Sequence, residues 1–201
     1  MAGGETGGAT LEWAMAELLR NPRVMKKAQD EARQVLQGKT KLEEADVQKL
    51  SYLKSVIKET LRLHPPAPLS AREAKERCEV FGYEIPKKAK VFINLWALGR
   101  DPTHWDNAET FEPERFLGSS IDFVGTNFEY LPFGAGRRMC PGISFAISHI
   151  EFALAQLLYH FDWRLVNCEK PEELDLTEVI SATSRIRNNL NVIATPFCSS
   201  S

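Results

Sequence analysis

The run Phe133-Gly134-Ala135-Gly136-Arg137-Arg138-Met139-Cys140-Pro141-Gly142 carries the most legible chemistry in this 201-residue chain. Glycines on both sides of Cys140 let the backbone approach a flat, bulky group closely. Pro141 suits the first turn of a following helix. That sets Cys140 at a helix N-terminus, where unpaired N–H groups and the dipole favour a thiolate. Arg138, two residues before the cysteine, brings a positive charge fit for a carboxylate. With no second cysteine or histidine beside it, such a thiolate is a single axial metal ligand or a nucleophile. The plain alternative is a buried structural cysteine next to a glycine-rich turn. Cys78, Cys140, Cys168 and Cys198 form no C-x-x-C pair. This argues against structural zinc and a disulfide scaffold, and makes a reducing compartment the default. His64, His104, His149 and His160 show no metal-ligand spacing and read as surface or packing residues.

The elements that must position this loop follow from periodicity. Met1 to Gly8 holds four glycines and reads, on composition alone, as a flexible leader. Leu11, Met15, Leu18 and Leu19 then mark a helix, broken at Asn21-Pro22, where Asn is the expected N-cap and Pro the first helical residue. Val24, Ala28, Ala32, Val35 and Leu36 continue an apolar stripe that Gly38 ends. Lys39 to Lys49 is charged, with a short helical turn expected. Leu50, Leu53, Ile57, Thr60 and Leu61 share one face of a helix over 50–64, stopped by His64-Pro65-Pro66. The β-prone runs Val80–Ile85 and Val91–Ile93, separated by Pro86-Lys87-Lys88, predict a hairpin over 79–94. Asn94 to Gly99 suggests a short helix. Arg100 to Gly142 has little periodicity, and a loop that long usually has a functional job or a bound group that orders it. Ile147, Ile150, Leu154, Leu157 and Leu158 mark a helix over 143–161, and residues 174–197 end in a strand or hairpin.

Phe133 to Gly142 matches F-x-x-G-x-R-x-C-x-G at every fixed position and so resembles the haem-ligating signature of the cytochrome P450 family. The resemblance implies that Cys140 binds haem b iron as a thiolate, donating electron density that favours O–O cleavage. It implies that Phe133 and Gly134 lie beside the haem and that Arg138 holds a propionate. Three further segments occur in the family's order. Glu59-Thr60-Leu61-Arg62 is E-x-x-R; alone, an i,i+3 pair contributes only ~0.2–0.5 kcal/mol. Pro113-Glu114-Arg115-Phe116 resembles P-E-R-F, whose arginine joins Glu59 and Arg62 in a buried structural triad bracing the cysteine loop. Ala2-Gly3-Gly4-Glu5-Thr6 resembles the A/G-G-x-D/E-T segment of the helix crossing the distal haem face, placing a helix over 1–20. Thr6 is expected near dioxygen, with Glu5 relaying protons. Gly7-Gly8 departs from the usual Thr or Ser. By the same likeness Ala67, Pro68, Leu69 and Ser70 contact substrate, as do Ala182 and Thr183. Arg72 is a second propionate partner, with Ala71 where proline often stands. Asn94-Leu95-Trp96-Ala97, Arg100-Asp101-Pro102 and Trp105 resemble the plant microsomal branch.

The expected fold is mainly α with small β-sheets, the C-terminal portion of the family's fold, incomplete at the N-terminus. The expected activity is insertion of one oxygen atom into a small apolar molecule, with electrons from an NADPH-dependent flavoprotein reductase. The alternative is a non-catalytic remnant unable to hold haem or fold alone. Lys+Arg 25 against Asp+Glu 27, net −2, argues against a nucleic-acid partner. Arg137 with Lys87 and Lys88 is a candidate basic face for an acidic electron donor, or a scatter of solvated charges. With 43% hydrophobic and 26% charged residues the chain reads as globular. No run approaches the ~20 apolar residues of a membrane span, so no anchor is expected in this chain. The family likeness implies the endoplasmic reticulum membrane, and this chain expressed as given is expected to be cytoplasmic.

Overall fold

A computed structural model describes residues 2–35, 37, 39, 41–166, 170–180 and 183–198. Six α-helices and eight short strands are described: α1 Ala2–Arg20, α2 Pro22–Val35, α3 Glu44–Val47, α4 Ser51–Leu63, β1 Leu69–Glu73, β2 Cys78–Val80, β3 Tyr83–Ile85, β4 Lys90–Asn94, α5 Leu95–Leu98, α6 Ile143–His160, β5 Phe161–Leu165, β6 Glu178–Ile180, β7 Ser184–Ile186 and β8 Val192–Pro196. Between α5 and α6 runs a long connection of turns with two 3-10 turns, Pro113–Phe116 and Gly136–Arg138. The architecture is mainly helical with small antiparallel sheets.

Helix α4 is the centre. Ten of its thirteen residues are buried, and it packs against α1, α2 and α6. Leu53, Val56, Ile57 and Leu61 fill the shared core with Leu18 of α1, Ala28 of α2 and Leu154 of α6. Each fully buried leucine contributes roughly 1.5–3 kcal/mol. His64 ends the helix because the prolines after it exclude further helical geometry. The long connection is anchored beside α4 by Trp105, Phe116 and Tyr130, whose ring centroids lie 5.2–6.2 Å apart. The Tyr130 hydroxyl donates to the Lys58 carbonyl at 2.9 Å.

Several expectations are corrected. The glycine-rich start is helical from Ala2 onward, not a flexible leader. Trp13, Ala14, Met15 and Leu18 bury the second half of α1, and that packing outweighs the helix penalty of glycine, roughly 1 kcal/mol each. The hairpin expected over 79–94 is two separate pairings. Phe81 (φ 50) and Gly82 (φ 81) both adopt the left-handed conformation, making a two-residue turn that folds β2 onto β3. Strand β4 pairs instead with β1, Leu69 opposite Asn94 and Glu73 opposite Lys90. Pro86 to Ala89 is a turn, but it delivers the chain to this distant partner. The region 174–197 also divides: β6 pairs with β7, while β8 pairs with β5. As expected, Asn21 precedes Pro22 at the start of α2, where its carbonyl accepts from the Val24 and Met25 amides, while its side-chain amide turns back to the Glu17 carbonyl at 2.8 Å. Gly142 is the N-cap residue of α6, which leaves Pro141 outside the helix and Cys140 two residues before the cap. The expected helix stop at Gly38, with Leu36, lies outside the described residues, as does Cys168.

Candidate functional site

The cysteine loop is closed by its own backbone. The Cys140 N–H donates to the Phe133 carbonyl at 2.9 Å, Gly134 N–H to Leu131, and Met139 N–H to Gly136. Gly134 (φ 73) and Gly136 (φ 65) occupy the left-handed region, which other residues adopt only with strain. The Phe133 ring packs edge-on against Phe123, centroids 5.6 Å apart. The Cys140 thiol is free and exposed. Among the described residues no group of three or more His, Cys, Asp or Glu is arranged to hold an ion; Cys140 stands as an isolated soft donor.

That thiol borders a cavity of about 480 Å3, within the roughly 300–1,000 Å3 of small-molecule sites. Five parts of the chain wall it, Leu95 of α5 among them. Gly3, Thr6, Gly7 and Thr10 come from α1, spaced so that they share one helix face. Leu61, Pro66, Ala67, Ser70 and Arg72 come from the end of α4 and the segment into β1. Phe133, Gly134, Arg138 and Cys140 come from the loop, and Phe145, Ala146 and Ile150 from α6. A Cβ at Gly3 or Gly7 would meet nothing within 4 Å, so the missing side chains widen the cavity. Two cations border it. Arg72 Nη1 donates to the neighbouring Ala71 carbonyl at 2.8 Å, and neither Arg72 nor Arg138 forms an ion pair among the described residues.

The remaining sequence-derived candidates scatter around this space. Glu5 is not among the lining residues; its carboxylate accepts from Arg185 Nη2 at 2.7 Å. Pro68 and Leu69 also stand outside the lining. The Pro68 carbonyl accepts from the Leu95 and Trp96 amides, and Leu69 is half exposed on β1. Thr183 is buried, with its hydroxyl accepting from Arg185 Nε at 3.2 Å. Ala182 lies outside the described residues.

Glu59, Arg62 and Arg115 meet away from the cavity. Arg62 donates from Nε to Glu59 Oε2 at 2.7 Å and from Nη2 to Oε1 at 2.8 Å. Arg115 Nε reaches Oε1 at 3.0 Å, and the Glu112 amide donates to the same oxygen at 2.8 Å. The Glu59 and Arg62 side chains are fully buried. Arg62 also donates to the carbonyls of Gly99, Ala108 and Thr110, and Arg115 to that of Asp106. One carboxylate and two guanidiniums thereby hold the long connection that leads into the cysteine loop. Beside them, Arg23 holds the Glu114 carboxylate down to about 2, with Lys27 and Tyr52 assisting against the opposing effect of burial.

Sequence reasoning missed Gly99 and the carbonyls that Arg62 captures. A Cβ at Gly99 would sit 2.1 Å from the Arg62 carbonyl oxygen. The glycine is there for space, and its only sequence signal, a small residue ending a short helix, is ordinary.

Comparison with known proteins gives the family. The Cytochrome P450 family model matches residues 1–190. Melianol synthase of Citrus sinensis is 62% identical over 96% of this chain and 38% of its own length. Desmethyl-deoxy-podophyllotoxin synthase of Sinopodophyllum hexandrum is 59% identical over 97% of this chain and 39% of its own. Premnaspirodiene oxygenase of Hyoscyamus muticus is 55% identical over 98% of this chain and 39% of its own. The chain thus spans under two-fifths of the length of these plant relatives. A match across residues 1–190, nearly the whole chain, places this chain in the cytochrome P450 family.

Proposed function

We propose that the chain carries the haem-thiolate and oxygen-activating part of a plant monooxygenase, with haem b in the cavity beside Cys140. The residues present fit that group. The walls are largely apolar, suiting a flat macrocycle; Gly3 and Gly7 leave open space; and Arg72 and Arg138, guanidiniums without ion-pair partners among the described residues, suit its two carboxylates. The observation carrying the proposal is the Cys140 thiol, Arg72, Arg138 and Thr6 bordering one cavity.

When bound, haem supplies dioxygen activation and the insertion of one oxygen atom into a small apolar substrate. The chain's own residues do the rest. Cys140 would be the thiolate ligand, with Phe133 packed close to the loop. Thr6 would hold a proton donor over the cavity through its hydroxyl, on the face kept open by Gly3 and Gly7. Glu5 would supply protons to Thr6, which requires its pair with Arg185 to open. Ala67 and Ser70 would touch substrate from the cavity wall, with Pro68, Leu69, Ala182 and Thr183 in adjoining segments. A relative named an oxygenase supports oxygen insertion. An NADPH-dependent flavoprotein reductase would supply electrons, and the endoplasmic reticulum membrane is the proposed site of the whole protein. Among the described residues no helix is long and apolar enough to cross a membrane.

The test is the absorbance of the haem-reconstituted chain, reduced and exposed to carbon monoxide. A strongly red-shifted Soret band is expected, and its loss in Cys140→Ala. A chain that takes up no haem supports the other reading, a non-catalytic remnant. That reading draws on the apolar side chains left in solvent, among them Phe81, Phe92, Phe128 and Phe145.

A further inference from the structure

Beyond the cavity, three distant segments meet at Trp13. Its indole stacks on the His64 ring with centroids 3.8 Å apart and planes 3° from parallel. His64 Nε2 lies 2.7 Å from Glu17 Oε1, one turn further along α1. Trp13 Nε1–H donates to the Ser184 carbonyl at 3.3 Å, and the Ser184 amide donates to the Pro66 carbonyl at 3.0 Å. The Ser184 hydroxyl bonds to Glu178, whose other carboxylate oxygen accepts from Trp96 Nε1 at 2.9 Å. Trp13, His64, Glu17 and Ser184 are all buried, so the links among them are shielded from competing water, whereas the Trp96–Glu178 bond is exposed. His64 Nδ1 is buried without a partner among the described residues. A hydrogen on Nε2, accepted by Glu17, leaves Nδ1 a bare acceptor and avoids an orphaned donor.

Ordinary core packing does not require an indole N–H to reach a carbonyl on a strand 171 residues away. The cluster ties together the helix whose other end lines the cavity with Thr6, the turn whose Pro66 and Ala67 line it, and strand β7 next to Thr183. We infer that Trp13, His64 and Ser184 form a buried clamp that fixes the Pro66–Ser70 wall and β7 against α1, and so sets the width of the substrate side of the cavity. Trp13 and His64 are positioning residues in this sense: they touch neither thiol nor cavity, and act through Pro66 and α1. The effect on binding rests on the haem-site reading above; the coupling of the three segments does not.

Trp13→Phe keeps a ring for His64 and removes the N–H that reaches Ser184. In the haem-reconstituted chain, imidazole and phenylimidazole are titrated by absorbance, the first reporting the haem alone and the second also filling space beyond it. Imidazole binding is expected to stay within about two-fold of the parent. Phenylimidazole is expected to weaken about three- to ten-fold, the scale of one lost hydrogen bond. Equal changes in both, or in neither, would overturn the inference. If the parent chain gives no imidazole response, the haem-site reading fails, and amide hydrogen exchange decides the clamp separately. Trp13→Phe must then speed exchange at both Ser184 and the 67–70 wall while α6 is unchanged; a rise confined to α1 would overturn it. Should Trp13→Phe not fold, His64→Phe keeps a ring against Trp13 and removes the bond to Glu17. It is expected to weaken phenylimidazole relative to imidazole about three-fold or, without haem, to speed exchange at the 67–70 wall, and no change overturns the clamp.

Discussion

Glu114 shows how one side chain makes the fold respond to acid. Its carboxylate accepts from Arg23 and Lys27 of α2 and from Tyr52 of α4, so it joins two helices to the Pro113–Phe116 turn. Its folded value of about 2 lies below the ordinary 4.5. The stabilisation is therefore complete above about pH 4.5 and lost as pH falls toward 2. Glu114→Gln should flatten the acid side of the stability profile across that window in urea melts, while a profile as steep as the parent's would refute this. At the same scale the sequence singled out Cys140, Arg138, Glu59, Arg62 and Arg115, because each lies in a short stretch that matches a family pattern. It did not disclose Gly99, or the stack of His64 on Trp13. Those depend on which backbone atoms lie opposite, and chain folding alone decides that.

Among the elements, the helices were legible because an apolar stripe is written within a few turns of chain. Strand pairing was not, since β4 finds its partner β1 across an intervening hairpin and nothing in Val91–Ile93 names Leu69–Glu73. The β2–β3 turn carries a visible irregularity. Phe81 is almost fully exposed and holds a left-handed conformation that L side chains resist. Asparagine tolerates that geometry, and Asn-Gly is the favoured pair for such a turn. Phe81→Asn should stabilise the hairpin by about 1 kcal/mol, measured as slower amide exchange in 78–85, and should also raise the soluble fraction on expression. No gain in either would show that Phe81 is held by contacts that outweigh the strain.

Across the whole molecule, burial concentrates on α4, while large apolar side chains such as Phe81, Phe92 and Phe145 meet solvent on the strands and beside the cavity. The long connection has few helical or sheet hydrogen bonds of its own, and polar anchoring through the Glu59 cluster takes their place. Glu59→Gln keeps the shape but strands the buried Arg62 charge, and should lower stability by about 3–5 kcal/mol. Denaturant titration checks this, and a loss under about 1 kcal/mol would mean the guanidinium finds another counter-charge.

The same carboxylate has a practical bearing on how variants of this protein are interpreted. It sits outside the cavity, yet its two oxygens hold Arg62 and Arg115, whose guanidiniums grip the carbonyls of Gly99, Asp106, Ala108 and Thr110. A change at Glu59 is expected to deplete the folded polypeptide through quality control, so any loss of the proposed activity would report clearance, not a blocked reaction. Immunoblot signal, ahead of any rate, is the quantity that tells those two histories apart.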